Sequence, residues 1–176
     1  MSRTSPDATF VPLNVAVITI SDTRTPDNDG SGDFLAASLE QEGHKVARRK
    51  IVKDDRYVLR AEFSALIADD EVSVVLSTGS TGLTGRDVAP EALEPLFDKA
   101  IDGFGELFRS ASLIDIGAAT IQSRAFAGLA NGTVIFCMPG SPNACRTAWE
   151  EVIRPQLDAR TRPCNLANLM PRFRET

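Results

Sequence analysis

The chain is poor in the residues that acid–base and nucleophilic enzymes rely on, with one histidine, His44, and three cysteines, Cys137, Cys145 and Cys164. An odd number of widely spaced cysteines fits neither a disulfide framework nor a zinc knuckle, so free reduced thiols are expected. His44 lies on an apparent strand, far in sequence from every cysteine, which argues against a Cys–His nucleophile. Positive charge is also short. The 19 Lys and Arg against 24 Asp and Glu leave a formal net charge of −5, with no broad field to draw a polyanion, so nucleic acid is not an expected partner. No apolar run approaches the roughly 20 residues of a membrane helix. Met1–Val11 lacks the apolar core of a secretory signal, so a cytoplasmic protein without membrane contact is expected. Two nucleotide signatures are missing as well. No Gly-Lys-Ser/Thr closes a P-loop and no GxGxxG follows a strand, which weakens kinase and dehydrogenase readings.

What is present is an alternation of short β-branched runs with helical patterns. NVAVITI (Asn14–Ile20), VSVVLST (Val72–Thr78) and TVIFCM (Thr133–Met138) are nearly continuous apolar runs, as strands buried on both faces require. Between them, helical spacing runs over 32–42 with Gly43 at the C-cap position. A strand follows over 45–52, and a helix beginning at Asp54 carries Val58, Leu59, Phe63, Leu66 and Ile67. Further helices are expected from Pro90, from GFGELFR at Gly103–Arg109, and from Pro142 to about Leu157. The pattern predicts an α/β fold of three layers, a mostly parallel central sheet with helices on both faces. A chain of this size is one domain, able to bury about 70% of its unfolded surface. The expected division is a flexible N-terminal arm at 1–12, a single domain at 13–158 and a C-terminal tail at 159–176. The basic run HKVARRK (His44–Lys50) reads as a solvated strand face or a contact for an acidic partner.

In open parallel sheets the ligand crevice lies beyond the carboxyl ends of the strands, so the loops after Ile20, Thr78 and Met138 are expected to meet. The second of these, TGSTGLTGRD (Thr78–Asp87), is the main candidate site. Gly79, Gly82 and Gly85 allow positive φ and bring backbone N–H groups against an anion, while Ser80, Thr81 and Thr84 add hydroxyl donors. Asp87 has two open roles: cap of the next helix, or partner of a divalent cation that reconciles a carboxylate with a neighbouring phosphate. Asp54 is likewise a helix cap first and a ligand second, with Asp55 able to share the capping. Ser21 and Asp22 could bond a ribose, a pterin edge or their own loop backbone. Pro139–Pro142 (PGSP) combines an N-cap, Ser141, with Pro142 at the first helical position, and leaves a helix end for a second anion. Arg24, Arg86 and Arg124 are either phosphate partners or solvated surface arginines.

With these pieces in place, the chain resembles the MoaB/Mog family of molybdopterin-binding proteins. The resemblance is carried by TISDTR (Thr19–Arg24), TGSTGLTGRDVAPEAL (Thr78–Leu93), GFGELFR, SRAFAG (Ser123–Gly128), MPGSPNACRTAWE (Met138–Glu150) and QLDARTRPCN (Gln156–Asn165). It implies molybdopterin and ATP as substrates, Mg²⁺ as cofactor, and adenylylation of molybdopterin with release of pyrophosphate. The terminal phosphate of molybdopterin, already ionised, attacks the α-phosphorus of ATP, so the site supplies alignment and charge neutralisation rather than a strong base. The resemblance assigns Asp54 and Asp87 as the catalytic, Mg²⁺-holding pair. It puts Thr78, Gly79, Ser80, Thr81 and Gly82 at the pterin phosphate, and lines the pocket with Ser21, Asp22, Glu106, Pro139, Gly140, Ser141 and Pro142. A homotrimer or homohexamer is implied, with other molybdenum cofactor biosynthesis proteins as partners. The alternative is a non-catalytic molybdopterin-binding or delivery protein. The tail after Leu157 packs on a neighbouring subunit or on its own domain. Three residues depart from the family's habit: Ser80 where glycine is common, Asp102 where proline often precedes GFGE, and Gly85 in place of a frequent proline.

Overall fold

The computed structural model describes residues 3–4 and 8–175; Met1, Ser2, Ser5, Pro6, Asp7 and Thr176, parts of the expected arm and tail, lie outside them. In chain order the first half runs β1 (Arg3–Thr4), β2 (Asn14–Ile20), α1 (Gly30–Glu42), β3 (Lys45–Val52), α2 (Arg56–Ala68), β4 (Val74–Thr78) and α3 (Ala89–Leu93). The second half continues with β5 (Lys99–Ala100), α4 (Asp102–Ile116), β6 (Phe126–Ala130), β7 (Thr133–Met138), α5 (Pro142–Ala148), a π turn at Trp149–Ile153, α6 (Arg154–Leu157) and β8 (Thr161–Arg162).

Six strands form one sheet in the order β3-β2-β4-β7-β6-β5. The first four are parallel, and β6 and β5 join antiparallel at the far edge. The three apolar runs are the central strands, buried along nearly their whole length, because helices cover them on both sides. One core packs Leu35, Leu39, Phe104, Phe108, Trp149 and Ile153 against one sheet face. The other packs Leu59, Phe63, Ala92 and Leu93 against the opposite face, which makes the three layers expected from the alternation. The antiparallel addition is a hairpin. Its two-residue turn, Asn131–Gly132, has φ of 47° and 82°, the mirror-image geometry that matches the twist of paired strands.

From Lys45 on, the basic run occupies the edge strand β3, while His44 is buried just before it. Arg48 pairs with Asp69, Arg49 with Asp33 and Lys50 with Glu62, at 3.0, 2.6 and 2.6 Å, so neighbouring helices answer much of its charge. Such exposed pairs contribute only about 0–1 kcal/mol each, but charge on an edge strand discourages a foreign strand from adding there. The tail folds back on its own domain: Leu166, Met170 and Phe173 pack on the core beside buried Ala167. Asn165, also buried, donates to the carbonyls of Ala159 and Thr161, and β8 pairs with β1.

The sheet order changes direction between β2 and β4, since the chain leaves β2 for β3 on one side and returns to β4 on the other. Strand ends are in register there, with Thr19 opposite Thr78 and Thr78 opposite Met138. Three loops therefore start at one level of the fold.

Candidate functional site

Backbone bonds carry the strand pairing one residue past the strand ends, Ser21 N–H to the Val52 carbonyl and Gly79 N–H to the Met138 carbonyl, both at 2.9 Å. Above them opens a cleft of about 530 Å³. Of the residues singled out in the sequence, Ser21, Thr78, Gly79, Ser80, Thr81, Gly82, Asp87, Pro139, Gly140 and Ser141 line it. Pro142 opens α5 behind Ser141, whose hydroxyl accepts from the Ala144 amide as an N-cap. Glu106 is not brought to this cleft; it is exposed on α4 and lines a separate cavity of about 510 Å³ with Asp102 and Arg109.

The Gly-rich loop departs from its expected conformation. Positive φ falls on Gly79 (106°) and Ser80 (59°), whereas Gly82 and Gly85 are not in that region. Gly79 is obligatory on two counts, since a Cβ there would also lie 2.3 Å from the Ile20 carbonyl oxygen. At Gly82 a Cβ would meet the Asp87 carboxylate at 2.7 Å, while Gly85 faces open space. Arg124 braces the loop from behind, donating to the carbonyls of Gly82 and Asp87 at 2.8 Å each and pairing with Glu91. Arg86 pairs with Asp22 at 2.6 Å. Arg24 lines the cleft and donates to the Asn28 carbonyl.

The capping alternatives are resolved residue by residue. Asp55 caps α2, accepting from the Tyr57 and Val58 amides at 2.9 and 3.0 Å, which leaves the Asp54 side chain free of that task. Asp54 Oδ1 instead accepts the Ser80 hydroxyl at 2.5 Å, and its backbone N–H donates to Asp22 Oδ1 at 3.2 Å. Asp87 does not cap α3 either. It accepts from the Thr84 amide and hydroxyl at 2.9 and 2.7 Å, and the amides at the start of α3, Val88 and Ala89, donate to the Ser80 hydroxyl at 2.8 and 3.0 Å. Ser21 serves its own loop, accepting from the Thr23 and Arg24 amides.

Electrostatics separates the two main carboxylates. Burial, partly offset by the Ser80 hydroxyl and reinforced by the charges of Asp87 and Asp22, raises the pKa of Asp54 above the ordinary carboxylate value. For Asp87 burial also pushes upward, but the Thr84 hydroxyl and amide, the Gly82 amide and Arg124 together hold it below that value. The hydrogen bond from Arg86, followed by that from the Asp54 amide, lowers Asp22.

The structure adds residues that the sequence reading passed over. Asp29, 1% exposed, accepts from the Thr19 hydroxyl at 2.8 Å and from the Gly32 amide at 3.0 Å, caps α1, and lines the cleft. Its signal was local: an aspartate ending a turn-rich loop before helical spacing. Ser112 and Asp115 on α4, and Asn143 and Thr147 on or beside the first turns of α5, complete the opposite wall. No sequence motif marks Ser112 and Asp115, which helix packing brings there, whereas Asn143 and Thr147 lie within MPGSPNACRTAWE.

Among the described residues no three His, Cys, Asp or Glu side chains form a group able to hold a metal ion unaided, and all three cysteines are free. No helix among them is long and apolar enough to cross a membrane. The family described as "Probable molybdopterin binding domain" matches residues 16–159. Molybdenum cofactor biosynthesis protein B of Escherichia coli K12 is 56% identical over 165 residues, spanning 94% of this chain and 96% of that one. A crystal structure of a molybdenum cofactor biosynthesis protein B superposes with a TM-score of 0.85 at 40% identity, covering 94% of this chain and 98% of that one. The tungsten cofactor synthesizing protein MoaB from Pyrococcus furiosus does so with a TM-score of 0.75 at 35% identity, covering 97% and 100%.

Proposed function

The chain belongs to the molybdenum cofactor biosynthesis protein B (MoaB) family, and from that premise we propose that it adenylylates molybdopterin with ATP and Mg²⁺, releasing pyrophosphate. The observation that carries this reading is the release of Asp54 from helix capping to Ser80 of the Gly79–Gly82 loop, near the like charges of Asp87, which lines the cleft, and Asp22, which like Asp54 is not among its lining residues. Like charges held together next to a phosphate site repel one another and the ligand unless a cation lies between them. Mg²⁺ usually takes one or two protein carboxylates and completes its shell with water and substrate phosphates, so a pair of aspartates suits it better than a closed protein cage. Asp54 and Asp87 would hold the ion, which when bound neutralises phosphate charge and aligns the reacting oxygens. The chain's own part is placement. The 79–82 backbone receives the pterin phosphate, Arg124 keeps that loop from shifting, and the cleft walls orient the two substrates.

Assembly as a homotrimer or homohexamer belongs to the same proposal. Leu107, Leu113, Ile114 and Ile116 on α4, with Ile121 beyond it, are each more than half exposed, which suits a face covered by another copy. A cytoplasmic location is in keeping with the three free thiols. The test combines purified protein, molybdopterin, ATP and Mg²⁺ and follows adenylylated pterin and pyrophosphate. Product that requires all components is the expected result. Tight retention of molybdopterin without product would instead make the protein a binding or delivery factor.

A further inference from the structure

Ser80 has a φ of 59°, in the region that side chains avoid. A residue that brings a Cβ into that conformation needs a return for it, and the Ser80 hydroxyl makes three contacts. A hydroxyl has one proton to give and two lone pairs to receive with. Both lone pairs are taken, by the Val88 amide at 2.8 Å and the Ala89 amide at 3.0 Å, so the proton is directed to Asp54 Oδ1 at 2.5 Å. Amides donating into the oxygen polarise it and strengthen the bond it gives. Ser80 is 8% exposed and lines the cleft, so water competes little for these contacts. Asp54 is fixed at a second point by the bond from its amide to Asp22.

We infer that Ser80 is a positioning residue, whose hydroxyl ties Asp54 Oδ1 to the start of α3 and so holds the carboxylate in one orientation for the cation. The inference rests on the reading of Asp54 as a metal-holding carboxylate. It also assigns this chain a device that a glycine at the same position lacks.

Two variants test it. Ser80→Gly removes the hydroxyl while easing the backbone, and Ser80→Ala removes the hydroxyl while keeping the strained φ. Binding of Mn²⁺ in the presence of an α,β-methylene ATP analogue is read by electron paramagnetic resonance, alongside melting temperature and the steady-state constants. Outer partners of metal ligands typically govern affinity by 10–100-fold, so both variants are expected to bind Mn²⁺ about tenfold or more weakly. The kcat should fall, and Ser80→Gly should melt no lower than the parent. A purely structural role would lower the melting temperature of Ser80→Ala, spare Ser80→Gly and leave Mn²⁺ affinity alone. Unchanged Mn²⁺ affinity in both variants, with a parent that binds Mn²⁺ and turns over, overturns the inference and leaves the proposed function standing. A parent that binds no Mn²⁺ overturns the metal reading itself and the inference with it.

Discussion

Asp54 and Asp55 are neighbours with opposite assignments, and separating them is the most informative perturbation. Asp55 is exposed and holds two amides at the start of α2, so Asp55→Ala removes an N-cap bond and a favourable charge at a helix start. A lost cap costs about 1 kcal/mol, within a range of roughly 0.5–2 kcal/mol. In a domain of this size that corresponds to a fall of about 2–4 °C in melting temperature. Leu59, Phe63 and Leu66 still anchor the helix to the core, so the site should survive and turnover should change little. Asp54→Asn is the reverse case. Because the folded protein raises the Asp54 pKa above 3.8, it binds the proton more tightly than the unfolded chain does, and stability falls as pH rises through that range. At neutral pH the ionised group therefore weakens the fold, and asparagine removes that cost while keeping an acceptor for Ser80. Its melting temperature should be unchanged or higher, while turnover falls by about 10²–10³-fold, the scale typical of losing an oriented charge. Thermal melting and pyrophosphate release on the two proteins check the pair. The reasoning would be refuted if Asp55→Ala lost turnover at unaltered stability, or if Asp54→Asn melted as low as the capping variant.

Gly79→Ala should destabilise by about 2 kcal/mol or more, since left-handed backbone alone costs alanine roughly 1–2 kcal/mol and the new Cβ also displaces the Ile20 carbonyl. Gly85→Ala, with nothing within 4 Å of the added atom and no positive φ, should stay within about 0.5 kcal/mol of the parent; equal melting of the two variants would contradict the loop geometry. His44 is buried and accepts the Leu13 amide at Nδ1, and burial lowers its pKa below 6.5 against the opposing pull of Glu42 and Asp158. Its contribution is thus complete above pH 6.5 and declines as pH falls below that, because the unfolded chain then takes up the proton first. Melting followed from pH 7.5 to 5 should show a slope that His44→Asn reduces, and an identical slope in the two proteins would remove His44 as the cause.

Much of the fold was legible because burial writes itself into local pattern. A strand covered on both faces must be apolar throughout, and the three such runs at Asn14–Ile20, Val74–Thr78 and Thr133–Met138 are the central strands. The far edge was legible only in part. The Asn131–Gly132 pair, a hairpin signal, went unused, and Phe126–Ala130 is short with three small residues among its five, so SRAFAG served as a motif without being read as a strand. The two residues of β5 carry no periodicity to read.

The sequence by itself determined the class of fold, the three loops that gather at one end, the glycine-rich segment as their centre and the family to which the chain belongs. These follow from residue types and short spacings, which act locally. Tertiary structure alone decided how the polar side chains divide the work. Capping and loop bracing draw on the same carboxylates and hydroxyls, and the choice depends on which amides the folded backbone leaves within about 3 Å. Asp55 holds the α2 amides, which leaves Asp54 to Ser80, and Ser80 holds the α3 amides that Asp87 could have capped. Glu106 shows the converse: its motif is intact, but α4 turns it toward another cavity. Distance in space, set by packing, separates residues that sequence spacing treats alike.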